Sequence, residues 1–101
     1  MITLNLLHSA QANPIQTWKF TTKSIIRIGR AADNDVVISS PTVSRYHVEI
    51  HHQPKQWQLV NISDNGTYID QQPINTEVLV NGAVIQLAVN GAKLQILLDQ
   101  A

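Results

Sequence analysis

The 101-residue sequence predicts an all-β fold, a sandwich or barrel of about ten or eleven short strands. No long stretch places apolar residues at i, i+3, i+4 and i+7, so helical periodicity is missing. Short β-branched and apolar runs recur instead, with turn residues every few positions. Several of these runs are apolar on both faces, as strands are where two sheets pack together.

The first run, Ile2 to His8, alternates at its start. Ile15 to Phe20 places Trp18 and Phe20 on one face. Ser24 to Gly29 holds Ile25, Ile26 and Ile28, and Val36 to Ile38 follows the turn Ala31 to Asp35. In His47 to His51, alternation sets Val48 and Ile50 opposite His47, Glu49 and His51. Trp57 to Ile62 follows the turn His52 to Lys55. Ser63-Asp64-Asn65-Gly66 is a strong turn signal. Thr67 to Ile69 is a short strand that Asp70-Gln71-Gln72-Pro73 turns toward Ile74. Val78 to Val80 and Val84 to Ala88 flank Asn81-Gly82, a pair typical of tight turns. Lys93 to Leu98 closes the set after Asn90-Gly91. Trp18, Phe20, Trp57 and the Ile, Val and Leu residues are the expected core.

The length suits one compact domain over residues 1–101, with a core from about 2 to 98, and leaves no room for two. It also suits one domain of a larger protein. Lys+Arg and Asp+Glu are both 7, so the net charge is zero and the basic footprint of a general nucleic-acid binder is missing. Without cysteine there are no disulfides, thiolate metal sites or thiol catalysis, which agrees with a cytoplasmic location. No apolar run approaches the roughly 18 residues of a membrane helix, so no membrane insertion is expected. Ala10-Gln11-Ala12 looks like a leader cleavage site, but the stretch before it has no basic start and is interrupted by Thr3 and Asn5.

Ser40 to Ile50, "SPTVSRYHVEI", puts a hydroxyl, a guanidinium and an imidazole within four residues, as Ser44, Arg45 and His47. These could be a nucleophile with its base, or a cradle for an anion. The nucleophile reading lacks a G-x-S-x-G elbow, and a triad of Ser44, His47 and Asp64 or Asp70 has little else to support it. No metal site is expected either, although His47, Glu49 and His51 would share a strand face. The cradle gains support from two other loops. If the strands alternate in direction, Gly29-Arg30, Pro41 to Arg45 and Ser63 to Gly66 share one end of the sandwich.

Gly29-Arg30, then Ser44-Arg45-Tyr46-His47, then Asn65-Gly66-Thr67 is similar to the pattern of the forkhead-associated (FHA) domain, in order and in spacing. The resemblance covers nearly the whole chain. It implies an eleven-stranded β-sandwich of two twisted, mostly antiparallel sheets, and a non-enzymatic module that binds phosphothreonine peptides in Ser/Thr-kinase signalling without a cofactor. By position, Arg30, Ser44 and Arg45 resemble phosphate-binding residues, and Asn65 resembles the residue that holds the peptide backbone. Gly29, His47, Gly66 and Thr67 resemble loop supports. Thr42 and Asp64 lie where peptide specificity is set.

The chemistry agrees with those roles. A phosphothreonine carries about −1.5 to −2 charges and three strong acceptor oxygens. Arginine's planar fork matches them bidentately. Asparagine offers donor and acceptor together, so it can clamp an extended backbone. Burying the threonine methyl is worth only ~0.8 kcal/mol, so sharper discrimination against serine needs a fixed rotamer. Asp64 departs from the pattern, which often has a hydroxyl or a basic residue there. A carboxylate about 6 Å from the phosphate would cost roughly 3 kcal/mol per unit of phosphate charge, unless it faces water. Asp64 therefore supports an alternative, a phosphate-independent interaction scaffold with a degraded phosphate site. The other departure is Asp70 to Pro73, which replaces the asparagine–glycine hairpin of the pattern.

Overall fold

The alternation read in the sequence becomes eleven strands in a computed structural model, which describes residues 1–7, 14–89 and 91–98. The strands are β1 Ile2–Leu7, β2 Pro14–Phe20, β3 Ile25–Gly29, β4 Val36–Val37, β5 Val48–Gln53, β6 Gln56–Asn61, β7 Thr67–Ile69, β8 Gln72–Ile74, β9 Thr76–Val78, β10 Val84–Leu87 and β11 Lys93–Leu98. There is no helix among the described residues. A six-stranded sheet runs β2-β1-β11-β10-β7-β8 and a five-stranded sheet runs β4-β3-β5-β6-β9. Among the described residues the strand pairings are antiparallel except β3 with β4. The expected sandwich of two mostly antiparallel sheets is thus borne out.

Period-2 alternation builds the core between the sheets. The six-stranded sheet contributes Ile2, Leu4, Ile85, Leu87, Leu94 and Ile96, all fully buried. Ile26, Ile28, Val48, Ile50 and Leu59 face them from the other sheet, also fully buried. Trp18, Phe20 and Trp57 do not join this centre but pack half-buried at its margin. The narrow gap is filled by branched aliphatics, and Trp57 stacks instead on His52, with ring centroids 3.9 Å apart.

Long-range pairing changes three local expectations. Asn81-Gly82 forms a turn closed by Ala83 N–H to Val80 C=O, with Gly82 at φ +88°, but it is no hairpin. The strand before it is Thr76–Val78 rather than Val78 to Val80, and it pairs with β6 in the five-stranded sheet. The strand after it belongs to the six-stranded sheet, so the turn carries the chain between layers. His47 lies before β5 and is fully buried, so it does not share a face with Glu49 and His51. No group of three metal-ligating side chains is found among the described residues. His8, Ala10 to Ala12 and Asn90 lie outside the described residues.

Asp70 and Gln71 form the two-residue connection of the β7–β8 hairpin, both with positive φ, 51° and 66°. Two left-handed residues are what a type I′ turn requires, and Asn-Gly satisfies this with least strain. Substituting Asn-Gly for Asp70-Gln71 is expected to raise stability by about 0.5–1 kcal/mol in urea unfolding. A loss instead would show that the present side chains make compensating contacts.

Candidate functional site

Three loops meet at one end of the sandwich: residues 30–35 after β3, residues 38–47 before β5, and residues 62–66 between β6 and β7. Backbone hydrogen bonds join them. Arg30 N–H donates to Ser44 C=O at 3.0 Å, Ala31 N–H to Arg45 C=O at 3.1 Å, and Ile62 N–H to His47 C=O at 3.0 Å. The grouping expected from alternating strand direction is therefore present.

Gly29 lies beneath this junction. A Cβ there would come within 2.2 Å of the Arg45 carbonyl oxygen, a backbone atom that cannot swing aside. The absence of a side chain lets the loop carrying Ser44 and Arg45 close onto β3. The same carbonyl accepts from Asn34 Nδ2 at 2.8 Å. Arg45 is left with an exposed side chain that makes no ion pair among the described residues.

Arg30 is exposed at the rim. Its Nε donates to Val43 C=O at 3.0 Å, which orients the guanidinium and leaves the terminal nitrogens for a ligand. Asn65 Nδ2 donates to Thr42 C=O at 3.0 Å and to Ser44 Oγ at 3.1 Å, so Asn65, Thr42 and Ser44 are in direct contact. Thr42 and Asp64 are both exposed. Asp64 makes no ion pair with Arg45 or with any described residue. Solvent therefore screens its charge.

His47 connects two of the loops from inside. Its Nδ1 accepts from Ser44 N–H at 3.1 Å, so its proton sits on Nε2, which donates to Gly66 C=O at 2.8 Å. Burial holds its pKa below the ordinary imidazole value, and the Gly66 carbonyl opposes this in part. Both ring nitrogens are thus engaged with backbone, and neither is available as a base for the Ser44 hydroxyl. That geometry removes the support for a catalytic serine. Gly66, at φ +87°, occupies the left-handed region, and its carbonyl also accepts from Ala88 N–H at 2.9 Å.

Sequence reasoning missed the residues that hold the Asn65 loop. Asn61 Oδ1 accepts from Ser63 N–H, Ser63 Oγ and the buried Thr67 Oγ1, at 3.3, 2.8 and 2.9 Å. Ser63 Oγ in turn accepts from Gly66 N–H at 3.1 Å. The signal was an asparagine two residues before a serine, the spacing of an Asx turn. It was hidden because Asn61 also continues the pattern of β6. Asn34 was missed for a similar reason, read only as part of a turn.

An FHA domain profile matches residues 26–88, more than half of the chain and all three loops. The chain belongs to the FHA domain family. Over 72 residues this FHA domain is 38% identical to an oxoglutarate dehydrogenase inhibitor of Corynebacterium jeikeium, covering 64% of this chain and 50% of that protein. It is 37% identical over 60 residues to the glycogen accumulation regulator GarA of Mycolicibacterium smegmatis, covering 58% of this chain and 38% of that protein. The chain thus spans half or less of the length of these two relatives. Among solved structures, the FhaA FHA domain complexed with the intracellular domain of Rv3910 superposes with a TM-score of 0.79 at 26% identity, covering 95% of this chain and 99% of that one. A structure from work on phosphothreonine-dependent FHA domain interactions gives a TM-score of 0.83 at 25% identity, covering 99% and 98%.

Proposed function

We propose that this FHA domain, residues 1–101, is a non-enzymatic module that binds phosphothreonine peptides and recruits partners downstream of a Ser/Thr kinase in the cytoplasm. The observation that carries the reading is the convergence of Arg30, Ser44 and Asn65 at one rim, with Asn65 hydrogen-bonded to Ser44 Oγ. Arg30 and Arg45 supply charge and forked donors to the phosphate, and Ser44 supplies a hydroxyl. Asn65 can exchange its bonds to Thr42 and Ser44 for bonds to a peptide backbone. Gly29, His47, Gly66 and Thr67 support the loops, while Thr42 and Asp64 border the bound peptide. The FHA complex with another protein's domain, the phosphothreonine-dependent FHA structure and the regulatory relatives support the same reading. Asp64 is exposed, so solvent screens its charge and the support it gives to the phosphate-independent alternative is weakened.

The test is titration calorimetry against a diversified phosphothreonine peptide library, with unphosphorylated and phosphoserine versions as controls. Binding is expected only with phosphate, and weaker at high salt. If no peptide binds, and Asp64→Ser does not rescue binding, the reading fails and an unmodified partner must be sought.

Asn61→Ala tests the support of the Asn65 loop. It removes an acceptor shared by three donors, and is expected to weaken phosphopeptide affinity about threefold to tenfold. Unchanged affinity would show that the loop holds Asn65 without this network.

A further inference from the structure

An open cavity of about 470 Å³ lies beside the phosphate loops, lined by Arg27, Asp33, Asn34, Tyr46, Glu49 and Ile62. Tyr46 follows Arg45 in the chain, and Asp33 belongs to the loop that starts at Arg30. Tyr46 and Ile62 are each 47% exposed, a large apolar surface for this position. The Tyr46 hydroxyl donates to Asp33 Oδ1 and Oδ2 at 3.0 and 2.9 Å, which fixes the ring. That hydrogen bond and the Asp33 charge hold the phenol above its ordinary pKa, so it remains a neutral donor.

The charges lining the cavity are unevenly matched. Glu49 is paired with Arg27 at 3.3 Å and hydrogen-bonded to His51 at 2.9 Å. Asp33 has no ion-pair partner among the described residues. The Arg45 charge is felt at Tyr46 but forms no ion pair with Asp33, and in the phosphothreonine reading it turns to the phosphate. Asn34 holds the wall in place. Asn34 is 8% exposed, its Nδ2 donates to the Ala31 and Arg45 carbonyls, and its buried Oδ1 has no hydrogen-bond partner.

We infer that this cavity receives a lysine or arginine side chain of the phosphothreonine partner, with the aliphatic stem on Tyr46 and Ile62 and the cationic head at Asp33. The inference rests on the phosphothreonine reading and adds a second determinant to it. Long basic side chains combine an apolar stem with a charged tip, the same pairing of surfaces that the cavity presents. The Tyr46 ring offers a further attraction to a cation. An acidic side chain would meet Asp33, and a purely apolar one would desolvate it without compensation.

The experiment uses a phosphothreonine peptide that binds, with lysine placed at each flanking position in turn and glutamine at the same position as control. At one or more positions lysine is expected to bind about fivefold to tenfold tighter than glutamine. Asp33→Asn is expected to remove that gain while leaving the glutamine peptides within about twofold of their original affinity. Asp64→Asn is expected to leave the gain in place. A lysine gain that survives Asp33→Asn, or that disappears with Asp64→Asn, overturns the inference, as does equal binding at every position. Binding without any lysine preference leaves phosphothreonine recognition standing and removes only this subsite. Failure of every peptide removes both.

Discussion

Arg30→Ala is expected to weaken phosphothreonine-peptide binding by about tenfold to 150-fold, or ~1.5–3 kcal/mol, with little change in folding. Arg30 is exposed and contributes one described side-chain hydrogen bond to the fold, from Nε to Val43 C=O. That bond pre-orients the fork, so less conformational freedom is lost when the terminal nitrogens meet phosphate. Arg30→Lys separates charge from geometry. A lysine keeps the charge but cannot hold the Val43 carbonyl and offer a fork as well, so it recovers only part of the affinity. Calorimetry at two salt concentrations checks both variants. Wild-type affinity in Arg30→Ala would place the phosphate elsewhere and sink the proposed role of this rim.

His47→Ala is expected to cost about 2–4 kcal/mol of folding stability, measured by urea unfolding. The change leaves a cavity at a fully buried position and removes the acceptor from Ser44 N–H. Gly66 C=O keeps its bond from Ala88 N–H, so the Ser44 side of the bridge suffers more. The wild-type protein should also lose stability in mild acid. Above the unfolded imidazole's pKa of about 6.5, both folded and unfolded states are neutral and the His47 contribution is complete. Below it, the unfolded chain binds the proton more readily, because burial depresses the folded-state pKa. Stability therefore falls as pH falls from about 6.5 toward the folded-state pKa. The hydrogen bond from His51 and that from Arg27 hold the Glu49 carboxyl below its ordinary pKa although burial opposes them, so Glu49 titrates below this window. Comparing unfolding at about pH 7.5 and about pH 5.5 isolates the histidine term, which should be missing in His47→Ala. Equal losses in both proteins would assign the acid sensitivity to another group.

Much of this was legible before any coordinates. Period-2 runs and turn residues are local signals, so ten of the eleven strands appear where the sequence placed them, within a few residues; Asp70 to Pro73 was read as a turn, but only Asp70-Gln71 turns, and Gln72 and Pro73 pair with β7 as the start of the eighth strand. The motifs around Arg30, Ser44 and Asn65 named the residues that the fold brings to one rim, because a motif records residue types and spacing directly. Other features were not legible. Asn81-Gly82 has the local chemistry of a hairpin turn, yet its two strands go to different sheets, since pairing is decided by partners far away in sequence. Alternation placed His47 with Glu49 and His51, but the strand starts one residue later and the imidazole turns inward to Ser44 and Gly66. Asp64 could have paired with Arg45, and only the packed loop shows it exposed and without an ion pair among the described residues. Local pattern was enough to name the class of fold and the residues proposed for the site, because both depend on residue types and spacing. Which strands share a sheet, which way His47 points, and the Asn61 and Asn34 contacts that hold the loops came from tertiary packing. Each of these depends on hydrogen bonds and burial that exist only once segments distant in sequence have packed together.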